Sequence, residues 1–261
     1  MAVTNFIQQV WSKKIQDDLE LKCKLVDNCL REYEGDCKYA QSVKILGVGE
    51  PTIGDYDNTK DITIEEMSDR GQILTIDQAK YFAFYVDDID QAQSVPGLKE
   101  KYQEKAVHGL AVARDTYVAT LIASAANKTT IEAMTEEGVK KAVDAAIVEL
   151  RERNFDEDGV IEMTPAFYNL FKNHLITLST NNPELIRKGV VGMYDNFECI
   201  MSNNLKTPCD IRGKKAIAFA GQINEVEALR AEKRFKDIVR GLDTYGAKVI
   251  DEARIQVLAT A

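Results

Sequence analysis

The chain of 261 residues carries 33 basic and 42 acidic side chains, a net charge of −9, and 45% hydrophobic residues. That is enough apolar material for one large or two smaller cored domains, and the acidic balance argues against a nucleic-acid grip through a basic surface. There is no apolar run long enough to span a membrane and no signal-peptide pattern over Met1 to Val10; the five cysteines include no C-x-x-C pair, so reduced thiols and a cytoplasmic site of synthesis are expected.

Residues 12–34 read as a helix, with Ile15, Leu19, Lys22/Cys23, Val26 and Leu30 at three- and four-residue steps and Gly35 as its stop. Residues 38–86 change character. Runs at 42–48, 61–67, 73–77 and 80–86 are rich in isoleucine, valine, threonine and aromatics, and a turn-rich loop separates the first two. Such an excursion holds little apolar interior and must lean on its own body or on a neighbouring chain.

The longest helical signal runs from about 98 to 126, entered through Ser94-Val95-Pro96-Gly97, with Leu98, Tyr102, Ala106, Leu110, Ala113, Tyr117 and Leu121 on one face. Thr135-Glu136-Glu137 opens another helix with Val139, Ala142, Val143, Ala146, Ile147 and Leu150 inward. A short strand at 160–163 leads to a helix begun by Thr164-Pro165, with Phe167, Leu170 and Phe171 inward. A short helix after Asn182-Pro183 and strands at 190–191, 197–201, 216–219, 223–231 and 255–258 complete the reading. Without a regular βαβ rhythm, the fold class is α+β.

The motifs of catalysis and metal binding fail on spacing. Asn154-x-Asp156-x-Asp158-Gly159 begins like a calcium loop, but Pro165 stands where the bidentate glutamate is required. Asp87, Asp88 and Asp90 could hold a divalent ion but read as a solvated strand end or a helix cap. His108 and His174 share no motif with Cys199 or Cys209, and Tyr81-Phe82-Ala83-Phe84-Tyr85, with Lys80 as its flanking base, reads as a buried strand rather than a base-stacking platform. No catalytic residue, metal or cofactor is assigned.

The order of these elements resembles the tailed-bacteriophage major capsid proteins of the Hong Kong 97 type. The resembling residues are Phe6-Ile7-x-x-Val10-Trp11-Ser12, Pro51-Thr52-Ile53-Gly54-Asp55-Tyr56 with Asp77-Gln78-Ala79-Lys80-Tyr81-Phe82, Asp87-Asp88-Ile89-Asp90-Gln91-Ala92, Ser202-Asn203-Asn204-Leu205, and Val239-Arg240-Gly241-Leu242 with Tyr245-Gly246-Ala247-Lys248-Val249. The resemblance implies an N-terminal arm and helix over 1–37, an extended E-loop over 38–86, a P-domain with a long spine helix over 87–134 and 223–261, and an A-domain over 135–222. It implies pentamers and hexamers in an icosahedral head that encloses DNA, and a virion location after assembly in the host cytoplasm. A portal and a separate scaffolding protein would be its partners, since no scaffolding segment precedes the arm. No membrane partner is implied.

Charge gives a second expectation. Residues 50–70 hold seven acids and two bases, a net −5, whereas residues 230–240 hold five bases and two acids, a net +3. The acidic excursion (Ile53, Asp55, Tyr56, Asp57, Ile62, Ile64, Glu65 and Glu66) is expected to lie on a basic surface of the next subunit built by Arg230, Lys233, Arg234, Lys236 and Arg240. Two other readings compete: an encapsulin-type compartment shell with the same fold, and a soluble α+β enzyme.

Overall fold

The computed structural model describes residues 23–33, 42–45, 71–87, 98–178, 191–230 and 236–260. Among them are three α-helices and eleven strands arranged in three sheets.

Helix α1, Leu98–Ala123, is the spine, about 40 Å long at 1.5 Å per residue. Its buried positions are Val107, Leu110, Ala111, Arg114, Asp115, Val118, Ala119 and Ile122. This stripe is rotated from the expected one: Tyr102 is exposed, and Ala106, Ala113, Tyr117 and Leu121 are half-buried. The cause is that two charged residues, Arg114 and Asp115, sit at the centre of the buried face, each with a buried partner.

The spine packs on a three-stranded antiparallel sheet, ordered β3 (Gln78–Asp87), β10 (Lys236–Val249), β9 (Ile217–Arg230). Phe82, Phe84, Phe219, Val239 and Tyr245 meet Val107, Leu110, Ala111 and Val118 in one core. The runs expected at 216–219 and 223–231 are a single strand, β9, and β10 runs its whole length beside it.

The expected helix over 12–34 is not borne out where it is described. Residues 23–33 hold a three-residue 3-10 turn, Val26–Asn28, and a bridge from Leu30 to Ala218. The three- and four-residue spacing is real, but distant side chains capture the backbone groups that a helix would use internally.

The excursion also leans on its own chain at its base. Strand β1, Ser42–Ile45, pairs with β2, Gln72–Thr75, and Val43, Ile45 and Leu74 are buried against Ala218 and Ala220. Gln72 Nε2 donates to the Ile250 carbonyl at 3.1 Å and Lys248 Nζ to the Ile73 carbonyl at 3.0 Å. Strand β3 belongs to the spine sheet. The expected want of an apolar interior therefore does not hold for 42–45 or 71–87.

The second sheet has six strands in the order β4 (Lys128–Ile131), β11 (Ile255–Thr260), β8 (Cys209–Gly213), β5 (Gly159–Met163), β7 (Phe197–Met201), β6 (Met193–Tyr194). Helices α2, Glu136–Glu152, and α3, Pro165–Leu178, cover one face, burying Ile161, Met163, Cys209, Ile211 and Leu258. Helix α2 matches expectation residue for residue: Thr135 Oγ1 accepts from Gly138 N–H at 3.2 Å, and the six predicted side chains are buried. At α3 the Thr164 hydroxyl instead donates to the Pro208 carbonyl at 3.1 Å. Strands β4 and β8 carry polar residues and had no strand signature.

Candidate functional site

Two features stand out: an uncovered sheet face and a buried polar junction. Alternation on β3 turns Phe82 and Phe84 into the core and Tyr81 and Tyr85 outward, 80% and 66% exposed. The aromatic run is thus half-buried rather than the buried strand expected. Across the ladder Tyr81 faces Leu242, Ala83 faces Arg240 and Tyr85 faces Ile238. Leu242 is 40% exposed and Arg240 is exposed. The result is an aliphatic and aromatic face with a guanidinium in its middle.

The five basic residues expected to form one surface are only partly placed. Arg230 ends β9, opposite Asp237, and Lys236 begins β10, opposite Asp87, so both lie at one end of the hairpin. Arg240 lies four residues along β10 from Lys236. Lys233 and Arg234 fall outside the described residues, as do Ile53, Asp55, Tyr56, Asp57, Ile62, Ile64, Glu65 and Glu66.

The junction was missed in the sequence. The Asp115 carboxylate on the spine accepts the backbone N–H groups of Lys24, Leu25 and Val26 at 3.1, 3.1 and 3.3 Å, and Asn204 Nδ2 at 3.2 Å. Arg212 on β8 takes the carbonyls on the same turn: Nη1 donates to Asn28 O at 2.7 Å and Nη2 to Leu25 O at 2.9 Å. It also donates to Glu162 on β5, at 2.8 Å, which in turn accepts from Asn28 Nδ2 at 2.9 Å. The 23–30 segment is thereby tied to both the spine and the six-stranded sheet. The available signal was Asp210-x-Arg212 and a lone Glu162 inside otherwise apolar strands, where a charge needs a buried partner.

His108 is exposed on α1, whereas Cys209 is fully buried and burial pushes its thiol well above its usual range. Burial likewise raises Cys199 to about 12, which disfavours the thiolate a nucleophile needs. Asn154, at φ 60, serves as the turn between α2 and β5. Among the described residues no helix is long and apolar enough to cross a membrane.

No protein-family model and no curated protein matches the chain. Solved structures do. One from Mycobacterium phage Che8 superposes with a TM-score of 0.76 at 27% identity, over 90% of both chains. The capsid of the cyanophage P-SCSP1u gives 0.73 at 16% identity, over 89% of this chain and 86% of that one. A virus-like particle from Pyrococcus furiosus gives 0.61 at 13%, over 97% and 99%. A long spine helix on a three-stranded sheet, joined to a six-stranded domain and superposing over about nine-tenths of its length on these phage structures, makes this chain's fold the tailed-phage major capsid fold of the Hong Kong 97 type.

Proposed function

We propose that the chain is the major capsid protein of a tailed phage, a structural subunit whose copies assemble into the icosahedral head around the DNA genome. The observation that carries this is the superposition over nine-tenths of both chains at the highest of the three similarities. The subunit works through its surfaces and not by catalysis. Pentamers and hexamers are the building blocks, assembly takes place in the host cytoplasm with a separate scaffolding protein and a portal, and DNA is enclosed without sequence-specific binding. An acidic chain suits that role, because phosphate contacts are what hold DNA to protein.

The intersubunit contact in this reading joins the acidic segment 50–70 of one copy to the face of Arg240, Tyr81, Tyr85 and Leu242 on the next, with Arg230 and Lys236 at its end and Lys233 and Arg234 adding to the basic charge. Burial of Ile53, Tyr56, Ile62 and Ile64 supplies most of the free energy, at roughly 25 cal/mol per Å². The exposed apolar face of the spine sheet supports this, since soluble chains seldom leave such patches uncovered without a binding role. Opposite charge sets the register.

Negative-stain microscopy of the overexpressed chain should show closed particles or capsomers. Asp55→Lys, Asp57→Lys and Asp61→Lys together should abolish particles while the subunit keeps its circular dichroism. Normal particles from that variant would refute the contact. A stable monomer from the unaltered chain would refute the shell. A compartment shell of the same fold is the second reading, favoured by the archaeal particle's end-to-end coverage; nuclease-resistant DNA inside particles from infected cells decides for the phage head, and a co-purifying enzyme for the compartment.

A further inference from the structure

Glu162 and Asp210 face each other directly across the β5–β8 ladder, in the middle of the six-stranded sheet. Arg212 is the cation between them: it bonds Glu162, and its Nε lies 3.6 Å from Asp210 Oδ2. All three side chains are fully closed off from water. With both carboxylates ionised, this space would hold an unbalanced negative charge, which is expensive away from water. The neighbouring groups do not offset it. Asp115 on the spine adds a further carboxylate, satisfied by backbone N–H groups, and Arg114 is held by Asp243. Lys24 Nζ reaches the Met201 carbonyl instead. Cys29 and Cys209 bring thiols that burial keeps protonated.

Hydrogen bonding identifies which acid is at fault. Glu162 receives Arg212 and Asn28, whereas neither oxygen of Asp210 receives a hydrogen bond from a donor among the described residues. As an anion Asp210 is a buried acceptor without a donor. As a carboxylic acid it has an O–H to give, and Glu162 is its cross-strand neighbour.

We infer that Asp210 is held as the neutral acid, its proton shared with Glu162, and that this one proton locks the 23–30 segment onto the spine and the sheet, so that rising pH releases the segment. Without it, two carboxylates compete for Arg212, which also holds the Leu25 and Asn28 carbonyls. Opening admits water, and the proton passes to solvent. The sign follows from linkage. Burial, then the charge of Glu162, push Asp210 well above the usual carboxylate range. The closed junction thus binds one proton more than the open one. Opening should rise about tenfold per pH unit from the ordinary aspartate value near ~3.9 up to the value in the closed state.

The segment contains its own reporters, Cys23 and Cys29, both buried. The full chain and its Asp210→Asn variant are exposed to 4,4′-dithiodipyridine between about pH 6 and about pH 9, across the usual thiol range, and peptide mass mapping reads each cysteine. The amide keeps the shape and cannot lose a proton, and taking the ratio of the two proteins cancels the reagent's own pH dependence. The labelling rate at Cys29, unaltered chain over variant, should climb with pH, about tenfold per unit until the closed-state value of Asp210 is reached. A flat ratio overturns the inference. Should the variant not fold, infrared spectroscopy of the unaltered chain with isotope-labelled aspartate decides. A protonated carboxylic band at neutral pH that fades as Cys29 labelling rises supports the lock, and its absence overturns it.

Discussion

Replacing Asp243 by leucine probes the buried pair that fixes the spine to its sheet. Arg114 Nε and Nη2 donate to the two oxygens of Asp243 at 2.9 and 2.5 Å, with side-chain exposures of 5% and 0%. The guanidinium also lies over the rings of Phe219 and Tyr245, at 5.6 and 5.8 Å from their centroids. Asp243 stands at the register shift of β10, so the pair joins helix and strand where the ladder is irregular. Removing one partner takes the paired charge away from the other inside the core, at a cost of about 3–5 kcal/mol. A folded domain has only about 5–15 kcal/mol in total. At about 2–4 °C per kcal/mol for a chain of this size, Asp243→Leu should lower the melting temperature by about 6–20 °C. Arg114→Met should do the same for the opposite charge. The double variant should recover most of the loss, because removing both charges removes the desolvation cost as well. Urea unfolding of the unassembled subunit, with all four proteins compared at a common slope, gives the cycle directly. Two single losses below about 1 kcal/mol that simply add in the double variant would refute this account of the pair.

A Cβ built on Gly246 would stand 2.1 Å from the Thr75 carbonyl oxygen and 2.9 Å from Ile76 Cα, both backbone atoms; Gly246→Ala should therefore push β2 off β10, cost about 1–3 kcal/mol or more in denaturant unfolding, and lower particle yield. Burial raises the thiols of Cys23 and Cys29 to about 12 and about 11; brief iodoacetamide treatment of the native chain near neutral pH should leave both unmodified, while the unfolded chain reacts at each, and rapid native alkylation would contradict the packing of the 23–30 segment.

How much of this was legible in the sequence depends on the range of the forces involved. Helix α2 was legible to the residue because its cap, its acidic first turn and its apolar stripe are local. The stripe of α1 was misplaced because Arg114 and Asp115 look like solvent residues until Asp243 and the 23–30 backbone are brought to them. The same capture turned an apparent helix into a 3-10 turn. In β3 five successive residues, Tyr81 to Tyr85, are aromatic or alanine, so composition could not say which face was wet; pairing with β10 decides it. Strand β10 itself mixes Arg240, Gly241, Asp243 and Lys248, which obscured its alternation. Of the expected contact, the charge asymmetry was legible as composition, but the register that puts Arg230 and Lys236 at the hairpin end is a long-range fact.

The two faces of the six-stranded sheet explain why the order of elements could be read and the junction could not. On one face Ile161, Met163, Cys209, Ile211 and Leu258 meet α2 and α3, an apolar layer that pattern alone predicts. On the other, Glu162, Asp210 and Arg212 lie beneath a segment that is distant in the chain, with 187 residues separating Arg212 from Leu25. Apolar packing tolerates many sequences of similar volume, so a shell fold can persist at the low identities found here. A buried charge tolerates few partners, because each unmatched group costs its full desolvation. The fold is therefore carried by residues that are individually replaceable. The tie between the 23–30 segment, the spine and the sheet is carried by a handful that are not, and it sits beside Leu25 and Val26, which the same segment buries in the spine core.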